Sequence, residues 1–175
     1  MRADPRVVTT PEQWREMTAF LDDIRETVDA IHRAVIRMRK VRDQVNALVE
    51  LTSDHAEADT LAALGDTVKT AITAWEETLV QPKQQTFQDV INFPNRLNAQ
   101  FLNLMNLIDG SGPPVTQGAR ARFVDLMAEW TERQAEMRRI LAEDVAAFNA
   151  MFESLGIPAV IVPEITDGEA SSSDG

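Results

Sequence analysis

Apolar residues recur along the first third of the chain in alternating steps of three and four: Trp14, Met17, Leu21, Ile24, Val28, Ile31, Val35 and Met38. Four successive heptads with both seam positions filled predict a long amphipathic helix that needs partners along its whole length. Arg42 interrupts the stripe, which resumes with a shifted phase at Val45, Leu48 and Val49. A helix is therefore expected over residues 11–51, roughly 60 Å long at 1.5 Å per residue. Its start is marked by Thr10 as N-cap, Pro11 at the first helical position and Gln13 placed for a capping box. Ahead of it, Asp4-Pro5-Arg6-Val7-Val8 reads as an extended lead-in over residues 1–10.

After the capping residues Thr52-Ser53-Asp54-His55, a second helical series runs through Leu61, Leu64, Val68, Ile72, Trp75 and Leu79, predicting a helix over 55–80. Gly65 inside it costs about 1 kcal/mol relative to alanine, which marks either a close helix contact or a weak spot. Between Pro82 and Pro94 the pattern gives only a helical turn or an irregular connector. Leu97, Phe101, Leu104, Met105 and Ile108 predict a third helix over 94–109, before the loop Ser111-Gly112-Pro113-Pro114. A fourth, over 116–155, carries Phe123, Met127, Trp130, Met137, Leu141, Val145, Phe148, Phe152 and Leu155 on one broad face and stops at Gly156. The expected fold is an all-α, antiparallel four-helix bundle over residues 11–156, in which two long helices of about forty residues are covered by two shorter intervening ones. Residues 157–175 are expected to be an apolar extended segment, Ile157 to Pro163, that docks back on the bundle, followed by a disordered Gly/Ser/acid tail.

Composition supports this reading. The 175 residues suit one domain, and seven glycines with no tyrosine favour helix over sheet. Cysteine is absent, which excludes disulfides, thiolate metal sites and cysteine nucleophiles and leaves the compartment open. The net charge of -11 disfavours nonspecific nucleic-acid binding and attraction to an acidic lipid surface. Residues 1–50 hold nine basic and nine acidic side chains, so the remainder carries the negative excess. No apolar run of signal-peptide or membrane-spanning type is read, and neither nucleic acid nor membrane is expected as a partner.

Candidate chemistry is sparse. Asp29 and His32 stand at i and i+3, the spacing of di-metal helical bundles, but they flank the apolar seam and lack the second pair such sites need. A solvated pair is the expectation, and no metal or other cofactor is assigned. His55 lies in a capping loop with no nucleophile tied to it by spacing. The doublets Asp22-Asp23, Glu76-Glu77 and Glu143-Asp144 point about 100° apart on a helix and are expected to be solvated faces, not paired acid catalysts. Arg33, Arg37 and Lys40 form a basic stripe, with Arg39 and Arg42 nearby; it offers a surface for an acidic partner or for intramolecular pairing. In Phe87 to Asn98, Asp89 or Asn92 is placed to cap a helix while Phe87, Phe93 and Leu97 staple it.

The stretch Asp89-Val90-Ile91-Asn92-Phe93-Pro94-Asn95-Arg96-Leu97-Asn98 resembles a recurring segment near the C-terminus of large bacterial proteins named as glycosyl hydrolases or sortilin (VPS10)-like, BNR-repeat β-propeller proteins. Asp4-Pro5-Arg6-Val7, Phe148-Asn149-Ala150 and Gly156-Ile157-Pro158-Ala159 resemble the borders of the same helical region. The resemblance implies that a propeller precedes the bundle and that any hydrolase activity belongs to the propeller. No propeller box or strand repeat occurs here, so no catalytic residue is carried over; the motif-like residues Asp89, Asn92, Phe93, Pro94, Leu97 and Asn98 are expected to be structural. The expected role is a non-catalytic helical module, structural or protein-binding, whose partner is a preceding or neighbouring β-propeller. Two alternatives are a self-associating coiled-coil adaptor pairing through the Trp14 to Met38 seam, and a metal-dependent or hydrolytic enzyme resting on Asp29, His32 and the acidic doublets.

Overall fold

A computed structural model of the chain describes residues 9–81 and 94–156. Among the described residues the fold is an all-helical bundle. In chain order the elements are α1 (Pro11–Leu51), α2 (Ala58–Leu79), α3 (Leu97–Ser111), α4 (Gln117–Ile140) and α5 (Ala146–Ser154), the last two joined by a π-helical turn, Leu141–Val145.

Helix α1 starts with both halves of a capping box: Gln13 N donates to Thr10 Oγ1 at 3.3 Å, and Thr10 N donates to Gln13 Oε1 at 2.9 Å. Thr116 caps α4 in the simpler way, accepting from Ala119 N at 3.1 Å. Two helix exits use positive φ, at Gly112 (67°) and Gly156 (69°), where a side chain would be strained. The entry to α3 differs from expectation. Its first turn opens at Leu97, three residues after Pro94, and its N-cap Arg96 makes no side-chain capping bond.

The α1 seam from Met17 through Met38 is buried, and it then passes to Val41 and Val45, both fully buried, instead of breaking at Arg42. Two consecutive steps of three, Val35 to Met38 to Val41, overwind the stripe locally and free Arg42 to reach sideways. Trp14 is a correction: it is 49% exposed, so the buried seam begins at Met17.

Contacts between the helices follow a simple order. Arg39 and Arg42 of α1 meet Glu76 of α2, while Val45 and Val49 lie against Gly65, so numbers fall along α2 as they rise along α1. Phe123 of α4 packs edge-on against both Phe20 of α1 and Phe101 of α3. Along α1 and α4 numbers rise together: Glu16 pairs with Arg120, Phe20 with Phe123, and Thr27 Oγ1 lies 3.6 Å from the sulfur of Met127. Helix α2 thus lines the C-terminal half of α1, and α3 touches both α1 and α4.

The π turn sets which residues of the last helix enter the core. In an uninterrupted helix Val145 would be preceded on the core face by Leu141; the extra residue of a π turn moves that place to Ile140. Ile140 is fully buried and Leu141 only half-buried. The broad face expected on 116–155 is accordingly divided. Leu126, Trp130 and Ile140 are buried in the core, whereas Phe123, Met127 and Met137 are half-buried beside it.

Candidate interaction surface

Between α1 and α4 a shallow open strip runs along the bundle. Its α1 side is Asp23, Glu26, Thr27, Ala30, Arg33, Ala34 and Arg37, and its α4 side is Phe123, Met127, Trp130, Gln134 and Met137. On α1 these residues form a second heptad-spaced line, Asp23, Ala30 and Arg37, offset from the buried seam by one position. The line carries a small residue in its middle, with Ala34 beside it, and these small side chains leave the apolar parts of half-buried Met127 and Met137 within reach of a visitor. Methionine is well suited to such a surface because its flexible thioether fills irregular gaps.

Charge is distributed along the strip in a definite order, with Asp23 and Glu26 towards the start of α1 and Arg33 and Arg37 further along. None of these four side chains has an ion-pair partner among the described residues, and Arg37 Nε is shielded from solvent without a hydrogen bond. The neighbouring charges behave otherwise. Arg25 pairs with Asp22 at 2.5 Å, and Arg39 and Arg42 grip Glu76. Lys40, the third member of the expected basic stripe, is half-buried one turn beyond the strip.

Glu76 overturns the expectation that every acidic doublet is a solvated face. It is 5% exposed, with Oε1 accepting from Arg39 Nε at 2.8 Å and from Nη2 at 2.5 Å, and Oε2 accepting from Arg42 Nη1 at 3.0 Å. A buried carboxylate is tolerable only with such charge-assisted bonds. Its neighbour Glu77 is exposed, as expected. Trp75, one residue earlier, donates its indole N-H to the Arg133 carbonyl of α4 at 2.8 Å and so ties α2 to α4.

Around the π turn, Arg139 bonds Glu136, Glu143 and Asp144. The hydrogen bond from Arg139 holds the Glu136 carboxyl below its ordinary value, with partial burial opposing and the charges of Arg139 and Arg133 assisting. The same network, led by the bond to Glu136, raises the Arg139 guanidinium above its ordinary value.

The other sequence-derived candidates that fall among the described residues do not converge. Asp89, Asn92 and Phe93 lie outside the described residues. Pro94 is exposed ahead of α3, Leu97 is fully buried in the core, and the Asn98 side chain accepts from Ala99 N at 2.6 Å. Asp29 and His32 are exposed, and no group of three His, Asp or Glu among the described residues is arranged to hold a metal ion. His55 Nδ1 accepts from Glu57 N at 3.2 Å in an exposed turn. Among the described residues no helix is long and apolar enough to cross a membrane. The strip itself was not read from sequence beyond Arg33 and Arg37; the signal was there in the alanines at 30 and 34, one step off the main seam.

No protein-family model, no curated protein and no solved structure matches this chain.

Proposed function

We propose that this chain is a non-catalytic helical module with a structural or protein-binding role, and that the strip between α1 and α4 is its contact surface. One observation supports the reading above others. The strip keeps Met127, Met137 and Phe123 half-exposed and leaves four charges without an ion-pair partner among the described residues, while the main α1 seam is consumed by packing within the chain. Partly open apolar floors with charged rims are the composition of recognition surfaces. The buried seam also argues against the adaptor alternative in its original form, because Met17 to Met38 are not free to pair between chains.

The bundle architecture belongs to the same reading. We take α2 and α3 to lie one after the other, antiparallel to both long helices, so that α1 and the α4–α5 rod point the same way. Three rods then make the cross-section, and the fourth side of a four-helix bundle is the open strip.

The resemblance to the C-terminal region of BNR-repeat, sortilin-like proteins supports a β-propeller, preceding the bundle or carried by a neighbouring chain, as a partner of the module as a whole, on a face that the resemblance does not specify. Mixing the chain with a propeller taken from such a protein should give a complex that elutes earlier than either component in size-exclusion chromatography. Separate elution, with no change in the thermal midpoint of either component, would contradict the propeller as partner.

A further inference from the structure

The charges on the strip are ordered so that the surface is complementary to itself. Asp23 and Arg37 lie seven residues on either side of Ala30, and Glu26 and Arg33 lie close on either side of it. At 1.5 Å per residue, both outer charges are about 10 Å from Ala30 and both inner ones about 5 Å. A two-fold axis through Ala30 would therefore set Asp23 of one copy against Arg37 of the other and Glu26 against Arg33, each twice. Small side chains at Ala30 and Ala34 let the two backbones approach where the axis passes. Residues just off this line are already neutralised within the chain, Asp22 by Arg25 and Glu76 by Arg39 and Arg42, whereas the four that would face a second copy have no ion-pair partner among the described residues.

We infer that the partner of this strip is a second copy of the chain, docked antiparallel across α1 about Ala30 in a two-fold homodimer. This rests on reading the strip as an interaction surface and names its occupant. A two-fold interface uses the same patch on both copies, so its charges must alternate in sign about the axis. The order acidic, small, basic does so. The apolar edges of Met127 and Met137 supply the area that exposed ion pairs alone cannot, because each such pair contributes little.

Charge reversal tests this directly. D23R/E26R makes the strip wholly basic and R33E/R37E makes it wholly acidic; each alone should weaken self-association by about a hundredfold or more, and an equimolar mixture should restore a heterodimer. Sedimentation equilibrium and native mass spectrometry read the masses, and circular dichroism confirms that each variant is folded. Because the chain has no cysteine, A30C should form a disulfide-linked dimer under mild oxidation, D23C alone should not, and D23C/R37C should.

A monomeric parent protein, or a dimer indifferent to both reversals, would overturn the inference. Cross-linking equally efficient at A30C and D23C would overturn the antiparallel geometry. If the parent is monomeric yet binds a propeller and R33E/R37E abolishes that binding, the homodimer fails and the strip as an interaction surface survives. If it is monomeric and the strip variants alter no association at all, the functional reading fails as well.

Discussion

Replacing Gly65 by alanine separates the two meanings a helical glycine can have. In an exposed helix the change should stabilise by about 1 kcal/mol, because alanine loses less backbone freedom on folding. Here a Cβ at residue 65 would lie 2.7 Å from Val49 Cγ2, 3.3 Å from Val45 Cγ1 and 3.6 Å from Phe148 Cε2. Carbon atoms are comfortable at about 3.5–4.0 Å, so the Val49 methyl must retreat by about 1 Å in a site where α1, α2 and α5 meet. Overpacking of this kind costs about 1–3 kcal/mol. The net expectation for Gly65→Ala is a loss of about 1 kcal/mol. Val49→Ala removes the obstructing methyl, and in that background Gly65→Ala should stabilise, giving a coupling of about 2 kcal/mol between the two sites. Urea unfolding of the four proteins, followed by far-ultraviolet circular dichroism with unchanged m values, completes the cycle. If Gly65→Ala stabilised both backgrounds equally, the close approach of α1 and α2 at this point would be wrong.

Three further outcomes follow from the helix contacts. Glu76→Gln should destabilise the fold by about 1–2 kcal/mol because a buried, doubly charge-assisted acceptor becomes neutral, while Glu77→Gln should change urea stability hardly at all. Trp75→Phe keeps most of the apolar surface but loses the bond to the Arg133 carbonyl, so thermal unfolding should report a loss of about 1–2 kcal/mol. The folded-state pKa of Glu136 is depressed, so its contribution to stability is present above the unfolded value and is lost as pH falls through the folded one. Carboxyl-carbon NMR should find Glu136 titrating below the ordinary glutamate value, and Arg139→Ala should move its midpoint upward.

Much of α1 was legible because one rule, heptad spacing, acts over eight consecutive seam positions and is reinforced by a local capping box whose bonds lie within four residues. What escaped were features decided by neighbours distant in sequence. Trp14 fits the heptad, but only the helices beside α1 decide where the seam stops being covered. Glu76 looks like half of a solvated doublet until Arg39 and Arg42, some 35 residues away, are brought to it. The π turn leaves the composition of α4 unchanged and alters only the phase, so Leu141 satisfied the regular helical period while Ile140 took the core place. The strip was half legible: Arg33 and Arg37 stood out as a stripe, but its meaning depends on α4 lying alongside α1 with Met127 and Trp130 facing it.

The most direct test of the account is the relative direction of the two long rods, since only rods pointing the same way line Asp23 to Arg37 with Phe123 to Met137. Spin labels on cysteines introduced at Glu16 and Arg120 should report a short distance, because these two side chains pair across α1 and α4. Labels at Glu16 and Glu153 should be separated by about 50 Å, the length of the 33 intervening helical residues beyond Arg120. A short distance for Glu16 with Glu153 and a long one for Glu16 with Arg120 would reverse the last rod, dissolve the strip and contradict the account.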